Sequence, residues 1–378
     1  MRTFSLCIVL LLIQIQTVRS DKLLFAQVLF RHGARAPSES LTNDSLTSKF
    51  PRGLGELTDR GFHNSHLLGK FLRKRYVTSG FLNENLIPSE MYWRSVSKTR
   101  CLSTAATVGA AMFAHPKLPL QVPVFTEEHN ENLLNYDQAN CPKETELVKK
   151  SCPKFTGNYN PWPKYEEFIA GCLNFSHPVF KEYPFHTLES YINQYKNEIP
   201  LPKPLADNWK DLSRMYAHTY QKITGTGMHL NEGLMRLKFG HLMHTLQTNI
   251  QTRPVKFIAY STQDWMLMGV LTGYGVFKEA LGLDTYPEYN SMIMIEVYEN
   301  QKNELYVKVF YKAEEKTEED HPKLIDLTSK IISCRPYPKC AFGDFLDCCT
   351  KFETDTPAKE CGAVPKTLRR KRRFAGPK

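Results

Sequence analysis

Residues Leu23 to Phe30 read LLFAQVLF and lead without a break into Arg31-His32-Gly33-Ala34-Arg35-Ala36-Pro37. An unalternating apolar run of this length fits a strand covered on both faces, as in a parallel sheet with helices on either side. The loop that follows crowds two guanidiniums and an imidazole into residues 31 to 35. Arginine holds phosphate bidentately, and a glycine lets backbone approach a ligand closely. A lone histidine after a strand is more often structural; the flanking arginines turn this one toward an oxyanion pocket.

The same pattern recurs along the chain. Thr58 is placed to cap a helix whose Leu67, Leu68, Phe71 and Leu72 form an apolar stripe. Met91 to Trp93 reads as a short strand followed by Arg94, and Thr99 to Phe113 as a second helix. From about residue 116 to 245 prolines and aromatics replace this regularity, which suggests an inserted, mainly helical subdomain ending in a helix from Asn231 to Leu246. Val255 to Tyr260 is a new strand, again followed by a polar cluster, Ser261-Thr262-Gln263-Asp264. Met266 to Gly273 reads as a buried helix, and Met292 to Tyr298 with Leu305 to Tyr311 as a hairpin. The order predicts an α/β fold, a three-layer sandwich around a mainly parallel sheet, with a core of residues 21–115 and 246–361. Such sheets carry their chemistry where loops leave the C-terminal ends of strands, where both polar clusters fall.

Residues 1–20 have Arg2, a short apolar run and small residues at the end, as a signal peptide does. A soluble protein of the secretory pathway, secreted or lysosomal, is expected. The net charge of +10 is misleading. Taking away Arg2, Arg19 and the seven cations of the tail from Lys366 to Lys378 leaves residues 21–365 at +1. The flexible segment 362–378 is thus a basic tail suited to anionic surfaces, and the body shows no basic and aromatic interleaving for nucleic acid. Nine cysteines remain after Cys7 is set aside, and in an exported chain they imply disulfides. Cys334 and Cys340 bracket a short loop and are expected to pair; Cys141 or Cys152 is expected to reach Cys361; the odd number leaves one thiol over. Asn43 and Asn174 head glycosylation sequons. No CxxC pair recurs, and the His63/His66 and His241/His244 pairs lack neighbouring ligands, so no metal or other cofactor is expected.

Residues Arg31 to Pro37 resemble the RHGxRxP signature of the histidine acid phosphatases. Leu54 to Thr58 is similar to that family's G-x-L-T segment, Met91 to Ser95 to its strand ending in Arg-Ser, and Asn231 to Asp264 to the stretch leading into its His-Asp pair. The resemblance spans about residues 23 to 361. It implies hydrolysis of small phosphate monoesters at acidic pH, with His32 as nucleophile through a phosphohistidine and Asp264 as proton donor to the leaving alcohol. It also implies that Arg31, Arg35 and Arg94 hold the phosphoryl oxygens, and that homodimers form, as they often do among relatives.

One position departs: Gln263 stands where the family has histidine. An amide still donates a hydrogen bond but carries no charge. Losing one charge-assisted contact costs about 1.5–3 kcal/mol, or roughly 10- to 150-fold in rate. The expectation is a weakened enzyme in which Gln263→His raises turnover. The alternative is an impaired relative that binds phosphorylated ligands or serves as an extracellular interaction protein.

Overall fold

The computed structural model describes residues 20–126, 133–134, 141–157, 162–317 and 324–362. The signal segment, but for Ser20, and the basic tail from residue 363 onward lie outside them. Strand β1 (Lys22–Arg31) sits in the middle of a sheet with β2 (Met91–Ser95), β3 (Val124–Thr126), β4 (Phe257–Thr262), β5 (Met292–Glu299), β6 (Leu305–Lys312), β7 (Leu324–Asp326) and β8 (Cys340–Ala341). The order is β3-β2-β4-β1-β5-β6-β7, with β8 also on β6. The centre, β3-β2-β4-β1, is parallel. From β1 outward the pairing turns antiparallel, beginning with the β5–β6 hairpin expected from the sequence.

Because side chains alternate along a strand, β1 feeds two cores at once. Ala26, Val28 and Phe30 face helices α1 (Asp59–Leu72) and α2 (Thr99–Met112), meeting Leu68, Leu72 and Val108. Phe25 and Leu29 face the other way. As the chain order requires, the next helices are α3 (Pro142–Ser151), α4 (Trp162–Cys172), α5 (Leu188–Lys196), α6 (Lys203–Asp207), α7 (Trp209–Thr224), α8 (Glu232–Thr252) and α9 (Asp264–Gly273). Of these, α8 and α9 cover the second face through Met235, Phe239, Leu242, Met266 and Val270. These are the three layers.

Helices α3 to α7 form the inserted portion, with two small cores of their own around Leu212 and Ile169. Two elements within residues 116–245 belong instead to the main body: β3 pairs with β2, and α8 is a wall of the central core. Helix α8, buried over most of its surface, had no apolar period to separate it from the insertion. No helix among the described residues is long and apolar enough to cross a membrane.

Cys334 joins Cys340 and Cys141 joins Cys361, while Cys152 pairs with Cys172 and Cys348 with Cys349. Cys101 is the remaining thiol and is buried. Asn43 and Asn174 are both exposed, as carriers of glycans must be.

Candidate active site

Strands β1 and β4 are parallel neighbours in register, Arg31 opposite Thr262, so the two polar clusters emerge side by side. The sheet's hydrogen bonding runs one residue past each strand: the His32 amide donates to the Thr262 carbonyl at 3.0 Å, and Asn290 donates to the His32 carbonyl at 3.3 Å. The loop is then pinned from the side. The Gly33 amide donates to Thr104 Oγ1 of α2 at 3.0 Å, and Thr58, which caps α1, donates its amide to the Ala34 carbonyl at 3.0 Å.

Gly33 has a role the sequence reading misplaced. A Cβ there would lie 2.5 Å from the Gly61 carbonyl oxygen and 2.9 Å from Ser65 Oγ. Its smallness lets the loop settle on α1; close approach to a ligand is not the constraint.

A cavity of about 490 Å³ opens at this edge of the sheet, lined at one end by Arg31, His32, Arg35, Arg100, Gln263 and Asp264. His32 Nδ1 lies 2.9 Å from the Gly33 carbonyl oxygen. A carbonyl only accepts, so Nδ1 carries the proton and Nε2 keeps its lone pair. Burial, with Arg100, Arg31 and Arg35 close by, holds the ring's pKa well below its ordinary value, so it stays neutral in acid.

Each arginine is anchored by one edge. Arg31 donates to the Pro287 carbonyl and to Asp264 Oδ2, both at 2.7 Å, with its guanidinium 4.1 Å from the centre of the Tyr289 ring. Arg35 donates to Glu189 Oε1 of α5 at 2.7 Å, and Asn193 also binds that carboxylate. Arg100, in the first turn of α2, donates to Gln263 Oε1 at 3.1 Å. The Nε atoms of Arg31, Arg35 and Arg100 are all buried and, among the described residues, without a partner. Buried donors are rarely left so, and three in one cavity mark a place for acceptor oxygens. Asp264 opens α9, where its Oδ1 accepts the Trp265 amide at 2.8 Å.

Of the expected residues, His32, Arg31, Arg35, Gln263 and Asp264 line this cavity and Arg94 does not. In β2 the buried Trp93 faces α1 and α2, and alternation sends Arg94 to the opposite face, toward His241 of α8, whose pKa is lowered by burial, by His244 and by Arg94. Arg100 occupies the place assigned to Arg94. Its signal was its position at the start of a helix just beyond a strand end. Glu189 and the aromatic wall from the insertion had none. Trp265 borders the cavity while packing on Phe239, and His63 and His66 are exposed on α1.

The family model described as histidine phosphatase superfamily (branch 2) matches residues 22–197. Over that stretch the chain carries the pattern of this superfamily. Bovine prostatic acid phosphatase is 27% identical over 358 residues, covering 86% of this chain and 89% of its own. The human prostatic acid phosphatase is 28% identical over 320 residues, covering 79% and 80%. Among solved structures, a Klebsiella phytase superposes with a TM-score of 0.65 at 15% identity over 90% of this chain and 96% of that one. The last likeness is one of fold: a histidine phosphatase core with an inserted helical subdomain.

Proposed function

We propose that this histidine phosphatase hydrolyses phosphate monoesters in acid through a phosphohistidine on His32. The observation that carries the reading is the meeting of a neutral, Nδ1-anchored imidazole with three guanidiniums, each held on one side and each with its Nε buried, in one cavity. The free Nε2 attacks phosphorus in line, and the P–O bond to the alcohol breaks on the far side. The arginines take up charge on the phosphoryl oxygens without having to reorient, which is where most of the rate comes from. Asp264 supplies the proton to the departing oxygen once a phosphoryl oxygen competes for Arg31. The same carboxylate then takes a proton from the water that cleaves the phosphohistidine.

Gln263 fits as the acceptor that fixes Arg100. The disulfides and exposed sequons support an exported protein. Release of phosphate from 4-nitrophenyl phosphate at about pH 5 tests the proposal. Wild-type protein turns the ester over and forms an acid-labile phosphoenzyme, and His32→Ala abolishes both. Turnover that survives His32→Ala defeats it.

A further inference from the structure

Away from the arginines the cavity is walled by Trp162, Tyr216, Tyr220 and Ile223, with Glu166 among them. Glu166, on α4, is only 1% exposed. Its Oε1 accepts twice, from Tyr220 OH at 2.8 Å and from the Trp162 indole N–H, and Tyr216 OH in turn donates to Tyr220 OH at 3.0 Å. Oε2 has no hydrogen-bond partner among the described residues. Among the described residues no cation pairs with this carboxyl. The charged groups that bear on it are carboxylates, Glu189 of α5 and Glu39 of the loop after the signature, while Glu144 of α3 and Lys238 of α8 pair with each other on the cavity wall.

A buried carboxyl whose one oxygen already accepts two bonds, with like charges beyond, holds its proton on the other oxygen. We propose that Glu166 is a recognition residue for the leaving group, its Oε2–H donating to an acceptor atom on an uncharged, ring-shaped alcohol held against the wall of Trp162, Tyr216 and Tyr220. The inference rests on the phosphatase reading and narrows its substrates to monoesters of acceptor-bearing ring alcohols. Burial, aided by Glu189, pushes the Glu166 carboxyl up to about 8, so the donor is present throughout the acidic range and lost above it.

The test compares kcat/KM for 4-acetylphenyl phosphate with that for 4-ethylphenyl phosphate, which fills similar space without an acceptor. The ratio of the two, followed across variants, cancels leaving-group reactivity and every titration the esters share. Glu166→Leu lowers the ratio about 3- to 10-fold, the worth of one neutral hydrogen bond. In Glu166→Gln the amide carbonyl still accepts from Tyr220 and Trp162 and the N–H₂ donates, so the ratio is kept. In the wild type the ratio declines as pH rises through about 8, and in Glu166→Gln it does not. A ratio unmoved by Glu166→Leu, or lowered as much by Glu166→Gln, overturns the proposal. Should Glu166→Leu fail to fold, a wild-type ratio that is flat with pH overturns it equally. If neither ester shows His32-dependent turnover, the phosphatase reading itself has failed, and that outcome is distinct from an altered ratio.

Discussion

Replacing Arg100 by alanine is the sharpest test of how the cavity is wired. The side chain donates to Gln263 Oε1 at 3.1 Å, keeps a buried Nε without a partner among the described residues, and among the charges is the strongest influence depressing His32. Two effects follow from its loss. One charge-assisted contact to the phosphoryl group disappears, about 1.5–3 kcal/mol, which lowers kcat/KM by about 10- to 150-fold. The His32 pKa also rises toward its ordinary value. Because only the neutral ring can attack, activity on the acid side is lost as pH falls through that pKa, and the acid limb of the kcat/KM profile moves to higher pH. Arg94→Ala, on the other face of the sheet, changes kcat/KM by less than about threefold and leaves the limb in place. Steady-state profiles of the two variants, with thermal melts to establish that both are folded, decide the matter. A larger loss from Arg94→Ala, or an acid limb that moves to lower pH in Arg100→Ala, refutes the assignment.

Gly33→Ala drives a Cβ into the Gly61 carbonyl at 2.5 Å; it is expected to cost about 1–3 kcal/mol in a denaturant titration and to lower turnover by displacing His32, and wild-type stability would show that the loop yields. The contact between Arg100 and the Gln263 carbonyl reverses the gain expected for Gln263→His: an imidazolium cannot accept from Arg100, so turnover in acid is unchanged or lower, and a several-fold rise would disprove this. Asp264→Asn slows alkyl phosphates more than aryl phosphates, since only poor leaving groups need full protonation; equal losses remove Asp264 from the acid role. Glu189→Gln keeps hydrogen bonding to Arg35 but takes a negative charge from beside the phosphoryl group, so inorganic phosphate inhibits at several-fold lower concentration; weaker inhibition would mean that Glu189 acts chiefly by placing Arg35.

What could be read from the sequence was local. The run Leu23 to Phe30 announced a strand buried on both faces, and Arg31 to Pro37 a cationic loop at its end, because both depend on neighbours in the chain. Arg94 was misplaced because a five-residue strand offers little to fix which face each side chain takes, and Trp93 claimed the inner one. The partner of Arg35, Glu189, lies 154 residues away on a helix with no signature. Glu166 was equally invisible: its meaning comes from Tyr220, 54 residues on, and from the burial that their meeting creates. Side chains that bear charge against a ligand announce themselves in a motif. Those that orient them or meet the leaving group are defined only by packing.

On the proposed mechanism, the pairing of charges makes a neutral residue tolerable at position 263. Arg31 faces Asp264, Arg35 faces Glu189, and Lys238 faces Glu144, so most of the cavity's cations already have a carboxylate on one side. A guanidinium so held presents its other edge without reorganising, and its donors favour the charge on the phosphoryl oxygens of the transition state over the ground-state ester. More positive charge would add affinity for ester and released phosphate alike, and uniform binding of that kind does not speed the chemical step. It would also press the His32 pKa further down, though the ring is already neutral. Gln263 adds no charge and instead holds Arg100 as the carboxylates hold Arg31 and Arg35. On the proposed mechanism the substitution completes the anchoring of the third arginine, and its cost is predicted to be smaller than the loss of a cation suggests.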